Sequence, residues 1–503
     1  MKYFAISAAF AAAFGLAACQ PADQAAPANI EASAPAVTQY DAATFFMTTS
    51  FGMADSSGHA FAASDGRILI SSDETGVFNA YAVDPVSGDR EALTSSTTSA
   101  TYAVSWFPND DRALVTADGG GDELSHVYVR ELDGRLSDLT PGENVKAQFI
   151  GFSPDGSDIW IATNARDAAA FDIYQYDTLS YESSVLFENS DTLAINAVSP
   201  DGRWLALVRN RTSADSDILL VDLASDDREP VLITAHEGNI AYSAYTFTPD
   251  SSALIYATDE FGEFSQAWSH DLATGERAPV VTADWDVQFV TYSPSGRFLV
   301  TGINADARTE VSITDLETGE ALALPDLPAG DLGAVRFSRD EGSIAFTINA
   351  ATSPSNVHLV ELASQAHTQL TQALNPAISE ADMVDAEVVR FASFDGVEIP
   401  GIMYRPHGAS ADNPVPALVM VHGGPGGQSR IGYSAMIQHL VNHGYAVYAA
   451  NNRGSSGYGK TFFHMDDRRH GEEDLNDIVA AGDYLRSLDW VRGDQVGVIG
   501  GSY

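Results

Sequence analysis

Short apolar runs bounded by polar turns recur at even spacing through the first three quarters of the chain. A turn signature marks each unit: Phe152-Ser-Pro-Asp-Gly156, Val198-Ser-Pro-Asp-Gly202, Phe247-Thr-Pro-Asp250 and Tyr292-Ser-Pro-Ser-Gly296, with weaker copies at Ala63-Ser-Asp-Gly66, Phe107-Pro-Asn-Asp110 and Phe337-Ser-Arg-Asp340. Aligned on the proline position (64, 108, 154, 200, 249, 294, 339), the copies are 44, 46, 46, 49, 45 and 45 residues apart. Each turn leads into an apolar strand such as Arg203-Trp-Leu-Ala-Leu-Val208 and then a second such as Asp217-Ile-Leu-Leu-Val-Asp222. A period near 45 with several strands per unit is the pattern of propeller blades, and seven copies predict seven blades over about residues 41–375. A β-sandwich with chance turns would not hold so even a period.

The pattern changes near residue 376. Glu387 to Phe394 and Glu398 to Tyr404 flank Asp395-Gly396 as a hairpin. Pro416 to Val421 is a strand, Tyr433 to His443 a helix, Tyr445 to Ala450 a strand, and Glu473 to Trp490 a helix with Leu475, Ile478, Val479, Leu485 and Leu488 on one stripe. Strands alternating with helices predict a parallel sheet covered on both faces. The fold class is therefore β then α/β, a seven-bladed β-propeller followed by the N-terminal half of an α/β-hydrolase domain (376–503), incomplete at its C-terminus.

The candidate chemistry lies in this second part. The chain ends Gln495-Val-Gly-Val-Ile-Gly-Gly-Ser-Tyr503, a strand entering a turn with a serine at its tip. That is four-fifths of a G-x-S-x-G nucleophile elbow, although G-x-S alone also fits an ordinary strand-ending turn. Upstream, the apolar run 416–421 ends in His422-Gly-Gly-Pro-Gly-Gly-Gln428. An HGG-type loop of this kind supplies one oxyanion-hole donor and the residue after the nucleophile supplies the other. Here the donors would be the backbone N–H of Gly424, or else Gly423, and that of Tyr503. A glycine-rich surface turn is the plainer reading of that loop.

Taken together, HGGPGGQ at 422–428, NNRGSSGYGKTF at 451–462 and GGSY at 500–503 resemble the prolyl oligopeptidase family of serine peptidases, in the branch of acylaminoacyl peptidases and bacterial dipeptidyl peptidases. The resemblance covers the chain from roughly residue 40 onward. It implies Ser502 as nucleophile, the N–H groups of Gly424 and Tyr503 as oxyanion donors, a propeller ahead of the catalytic domain, and no cofactor or metal. In that family the triad runs Ser, Asp, His in chain order. All twelve histidines of this sequence precede Ser502, so both partners are expected beyond residue 503.

Lys2 followed by the apolar stretch Phe4 to Gly15 and Leu16-Ala-Ala-Cys19 resembles a bacterial lipoprotein signal (1–18), with Cys19 as the lipidated residue. Residues 19–40, rich in Ala and Pro, predict a flexible tether. Lipid anchorage in the outer membrane, facing the periplasm, is the expected location. Cys19 is the only cysteine, which excludes an intrachain disulfide and a cysteine metal site.

Composition narrows the partners. A formal net charge of −43, from 69 acids against 26 bases, excludes nucleic acid as a partner and suits a salty medium. Two polar segments carry possible ligands. His464-Met-Asp-Asp-Arg-Arg-His470 has metal-ligating residue types but reads as a solvated loop. Asp118-Gly-Gly-Gly-Asp-Glu-Leu-Ser-His126 could grip a substrate amine but reads as a tight turn. The function expected is hydrolysis of short peptides, with the propeller limiting access. An esterase using the same elbow, or a non-catalytic propeller binding protein, remain the alternatives. The sequence is silent on oligomeric state.

Overall fold

The computed structural model describes residues 37–424 and 426–502. The signal segment, Cys19, most of the expected tether, and Tyr503 lie outside the described residues. Val37–Tyr503 forms one compact unit, and among the described residues no helix is long and apolar enough to cross a membrane.

Seven four-stranded antiparallel sheets follow one another along the chain, at 51–92, 101–138, 147–187, 194–232, 242–281, 286–321 and 331–369. These are the seven blades that the repeat predicts. Within every blade the strands pair in chain order. The middle strands are packed on both faces and read as continuous apolar runs, as in Ile68–Ser72 and Asn79–Val83, which are buried throughout. The outermost strand of the same blade, Arg90–Ala92, is exposed throughout and correspondingly polar.

The recurring turn owes its sequence to hydrogen bonding. In the third blade Gly156 N–H donates to the Ser153 carbonyl (2.9 Å) and the Asp155 carboxylate accepts from Ser157 N–H (3.0 Å). The glycine takes φ +70°, a conformation that costs other residues. Among the described residues no strand is exchanged between the first and last blades, and side chains and packing close the ring. Arg336 Nη2 donates to the Ala54 carbonyl (3.0 Å), and Arg339 donates to the carbonyls of Phe61, Phe107 and Pro108 (3.0, 2.9 and 2.6 Å).

The second part is a five-stranded sheet in the order Ala386–Ala392, Glu398–Tyr404, Ala446–Ala450, Val415–Val421, Val491–Gly500. The 415–421 strand runs parallel to both of its neighbours. Alternate residues point to opposite faces. Ile399, Ala446, Tyr448 and Ala450 meet Ala481 and Leu485 of helix Glu473–Ser487. Ile402, Tyr404, Val447 and Ala449 meet Ile437 and Val441 of helix Ala435–Asn442. Ser434 caps the latter helix by accepting from Ile437 N–H.

Several features differ from the sequence reading. Helix 473–487 stops three residues early, because Val491 begins the next strand and Leu488 is already extended. Its buried face holds Asp474, Asp477, Ala481 and Leu485, whereas Leu475 and Val479 are exposed. The inward face carries Asp477, which enters an ion pair described below, rather than the most apolar stripe. Finally, the segment assigned to the end of the tether and the start of the propeller packs on the α/β part. Tyr40 N–H donates to Asn442 (3.0 Å), Asn442 Nδ2 donates to the Thr38 carbonyl (2.8 Å), and Asp41 caps helix Ala42–Phe46. Phe45 of that helix is fully buried beside Leu374, Ile378 and Met383.

Candidate active site

The two motifs predicted to meet do meet, because the strands that carry them are neighbours. In the parallel register Val421 faces Gly500, so His422-Gly423 and Gly501-Ser502 leave the sheet side by side. Ser502 has φ +66° and is exposed. That backbone costs a non-glycine residue roughly 1–2 kcal/mol, a strain of the kind found at functional turns.

Gly423 lies against this serine. A Cβ at Gly423 would stand 3.0 Å from Ser502 Cβ, 3.5 Å from its Oγ and 3.3 Å from the Gly501 carbonyl oxygen, so glycine permits the approach. Gly424 takes φ +138°, and a Cβ there would come within 2.7 Å of the backbone nitrogens of Gly426 and Gly427. The loop folds back tightly on itself at this residue. Of the two glycines proposed as oxyanion donor, Gly423 is thus in direct contact with Ser502, and Gly424 shapes the turn behind it. The other proposed donor, Tyr503, lies outside the described residues.

His422 is engaged at both ring nitrogens, with Nδ1 2.8 Å from the Gly423 carbonyl oxygen and Nε2 2.9 Å from Ser455 Oγ. Ser455 Oγ donates in turn to the Asn452 carbonyl (2.6 Å), and Ser456 N–H donates to the Gly427 carbonyl (3.0 Å). The 451–459 loop therefore braces the 422–428 loop, and His422 is a structural strut between them.

The arginine of the 451–459 loop is the strongest electrostatic anchor near the site. Arg453 is buried, and its Nε and Nη2 donate to the two oxygens of Asp477 (both 2.8 Å), which is fully buried. Nη1 and Nη2 donate to Asp395 (2.9 and 3.0 Å), and Arg453 N–H donates to Asp477 (2.9 Å). Ser393 Oγ adds a fourth donor to Asp477 (2.6 Å). The bonds from Asp477 push the guanidinium pKa up, and the bond from Arg453 holds Asp395 below the usual carboxylate range. The sequence shows the arginine and both acids but nothing that pairs them, since they lie 24 and 58 residues apart.

The 464–470 segment, read as a solvated loop, is more ordered than that. Asp466 and Asp474 are buried, and with His470 their ligand atoms lie within 4.8 Å of one another, an arrangement able to hold a metal ion. Burial pushes the Asp466 carboxyl up, and Gly454 packs directly against that carboxylate. The 118–126 segment is the turn expected. Asp118 accepts from Gly121 and Glu123 N–H (3.1 and 3.3 Å), and Asp122 accepts from Gly119 and Leu124 N–H (3.1 and 3.0 Å).

Residues 431–503 match the model of the prolyl oligopeptidase family. The match falls within the α/β part of the chain. It is 29% identical over 448 residues to dipeptidyl aminopeptidase BIII of Pseudoxanthomonas mexicana, covering 85% of this chain and 63% of that protein. It is 27% identical to the uncharacterized peptidase YuxL of Bacillus subtilis, covering 87% of this chain and 68% of the relative. The chain thus spans roughly two thirds of the length of these relatives. Among solved structures, that of a prolyl endopeptidase superposes with a TM-score of 0.74 at 17% identity, over 92% of this chain and 70% of that one. A puromycin-hydrolyzing peptidase of Mycobacterium tuberculosis gives 0.71, also at 17% identity, over 88% and 73%. Both likenesses are of fold. They match the propeller followed by an α/β sheet that this chain displays.

Proposed function

We propose that this protein is a serine peptidase that hydrolyses short peptides, in the manner of a dipeptidyl or acylaminoacyl peptidase, through an acyl-enzyme on Ser502. The observation that carries the reading is Ser502 in a left-handed backbone, 3.0 Å at its Cβ from the Cβ position of Gly423. Ser502 Oγ forms the bond to the scissile carbonyl carbon while its proton passes to a base. The carbonyl oxygen takes up negative charge, which backbone N–H groups of the 423–424 loop and of Tyr503 stabilise. Collapse of that intermediate breaks the C–N bond and releases a protonated amine, and water then cleaves the ester. The family order assigns the base and its orienting acid to chain after residue 503. The span 1–503 alone is accordingly expected to turn over no peptide at an enzymatic rate.

Access would be set by the propeller. A cavity of about 670 Å³ is lined by the innermost strands, including Gln148, Asn196, Thr246, Thr291 and Arg336. A space of that size suits a short or unfolded peptide and shuts out folded protein. We also propose that cleavage before Cys19 and lipidation of its thiol tether the enzyme to the outer membrane on the periplasmic side. Mass spectrometry of the native N-terminus tests this, and an intact Met1 would contradict it.

The test of function uses the full-length protein with dipeptidyl and acyl-aminoacyl anilides beside short-chain esters. Amide cleavage is expected, and Ser502→Ala should remove it by several orders of magnitude in rate. Ester hydrolysis without amide cleavage would favour an esterase. No hydrolysis of either would favour a binding propeller.

A further inference from the structure

We propose that Glu263, on the fifth propeller blade, is a positioning residue for the glycine-rich loop beside Ser502. Glu263 touches neither the serine nor that loop. It lies between strands Ala253–Thr258 and Gln266–Asp271, and grips the start of helix Lys460–Phe463 nearly two hundred residues away. Its Oε1 accepts from Thr461 N–H (2.6 Å), its Oε2 from Thr461 Oγ1 (2.9 Å), and its carbonyl from Lys460 N–H (2.9 Å). Lys460 Nζ donates to the Asp259 carbonyl (2.8 Å) at the other end of the same turn. Gly459, at φ +88°, lets the two domains come this close, because a Cβ there would stand 2.6 Å from Glu263 Oε1.

From this grip the contacts run without a break to the oxyanion loop. Tyr458 packs edge-on against Trp285 of the propeller, and its hydroxyl accepts from Asn451 Nδ2 (3.0 Å). Asn451 Oδ1 accepts from Ser429 N–H (2.6 Å), and its Nδ2 donates to the Ser429 carbonyl (3.0 Å). Ser456 N–H holds the Gly427 carbonyl, and the Phe463 ring fills the space beside Gly426, where a Cβ would lie 2.7 Å away. The sixth blade adds a direct bond, from Asn304 Nδ2 to Gln428 Oε1 (2.8 Å). Among the described residues, 422–424 and 426–428 belong to no helix or strand. Their position is therefore set by the 451–463 segment, and Glu263 fixes where that segment sits.

The inference rests in part on the proposed peptidase activity, so its test has an arm independent of turnover. Hydrogen exchange compares wild type, Glu263→Ala and Glu263→Gln in the full-length protein. Glu263→Ala should raise exchange at Gly423, Gly424, Gly426 and Gly427 as well as at 459–461, with Leu254 to Ala257 unchanged as evidence of an intact blade. Glu263→Gln keeps an acceptor for Thr461 N–H and should restore protection. In the assay with anilides, Glu263→Ala should lower kcat roughly tenfold with KM little changed, the signature of displaced catalytic geometry, and the glutamine variant should recover it. If exchange rises at 459–461 alone, or if glutamine fails to rescue, Glu263 is only an interface contact. An inactive wild type would defeat the peptidase reading and leave the exchange comparison to decide this one.

Discussion

At the residue scale, one buried polar network holds this site, and a buried imidazole in the propeller makes stability depend on pH. Arg453 is satisfied by Asp477 and Asp395, and the two acids differ in exposure: Asp477 is fully buried, whereas the Asp395 side chain is 35% exposed. Removing one member of a buried pair leaves the other charge uncompensated, a loss of roughly 3–5 kcal/mol. Asp477→Ala should therefore lower stability by that order in chemical denaturation, and Asp395→Ala by clearly less. Equal, small losses would show that the network does not anchor the 451–459 loop. The imidazole is that of His358, buried in the seventh blade with Nδ1 2.9 Å from His367 Nε2. Burial, and then the neighbouring imidazole, push its pKa down to about 4 from 6.5. The unfolded chain then binds a proton that the folded one refuses as pH falls from 6.5 toward 4. Stability is full above 6.5 and declines across that window. Between pH 7.5 and 5 the wild type should lose on the order of 1 kcal/mol more than His358→Gln, measured as the change in melting temperature. An unchanged gap between the two proteins would refute the assignment.

At the scale of elements, the blade turn shows how a repeat tolerates an exception. Three copies lack the glycine, at Asp110, Ser251 and Glu341, and two of these hold a left-handed residue instead, Ser251 at φ +57° and Glu341 at φ +55°. Each side chain bonds the turn of the preceding blade. Ser251 Oγ accepts from Asp201 N–H (3.0 Å), and Glu341 accepts from Ser295 N–H and Oγ (2.6 and 2.7 Å). Glu341→Ala keeps the strained backbone and loses both bonds, whereas Glu341→Gly loses the bonds but relieves the strain. The glycine variant should be the more stable of the two by about 1 kcal/mol in thermal unfolding; the reverse order would mean the backbone there carries no strain. The same turn explains why the blades were legible in the sequence. Its Pro, Asp and Gly are demanded locally, so they recur wherever the fold recurs. The hairpin at Asp395-Gly396 and the adjacency of the 422–428 loop to Ser502 were legible for the same reason, since turn chemistry and parallel strand order are written in short segments. Contacts that depend on distant chain were not. Nothing near Asp477 announces that helix 473–487 will turn it inward toward Arg453, and Glu263 looks in sequence like one acid among 69.

At the scale of the whole molecule, propeller and hydrolase sheet are joined by polar bonds through blades five to seven. Lys460 and Thr461 meet Asp259 and Glu263; Arg430 meets Thr309; Tyr433 N–H and Gln438 meet Asn349 and Ala351. Most of these bonds are shielded from water, and Ala307 and Ala351 of the propeller share an apolar cluster with Ile431 and Ile437, so the two parts are held together beside the 422–428 loop. The acidic balance, at −43, keeps the molecule apart from other polyanions. All of this serves one claim, that Ser502 is the nucleophile and is presented by the elbow beside Gly423. The measurement that tests it most directly is labelling of the full-length protein with a fluorophosphonate, followed by mass spectrometry of the peptide that carries the adduct. The account predicts one adduct per chain, on Ser502, and none in Ser502→Ala. An adduct on any other serine, or equal labelling of the alanine variant, would contradict it.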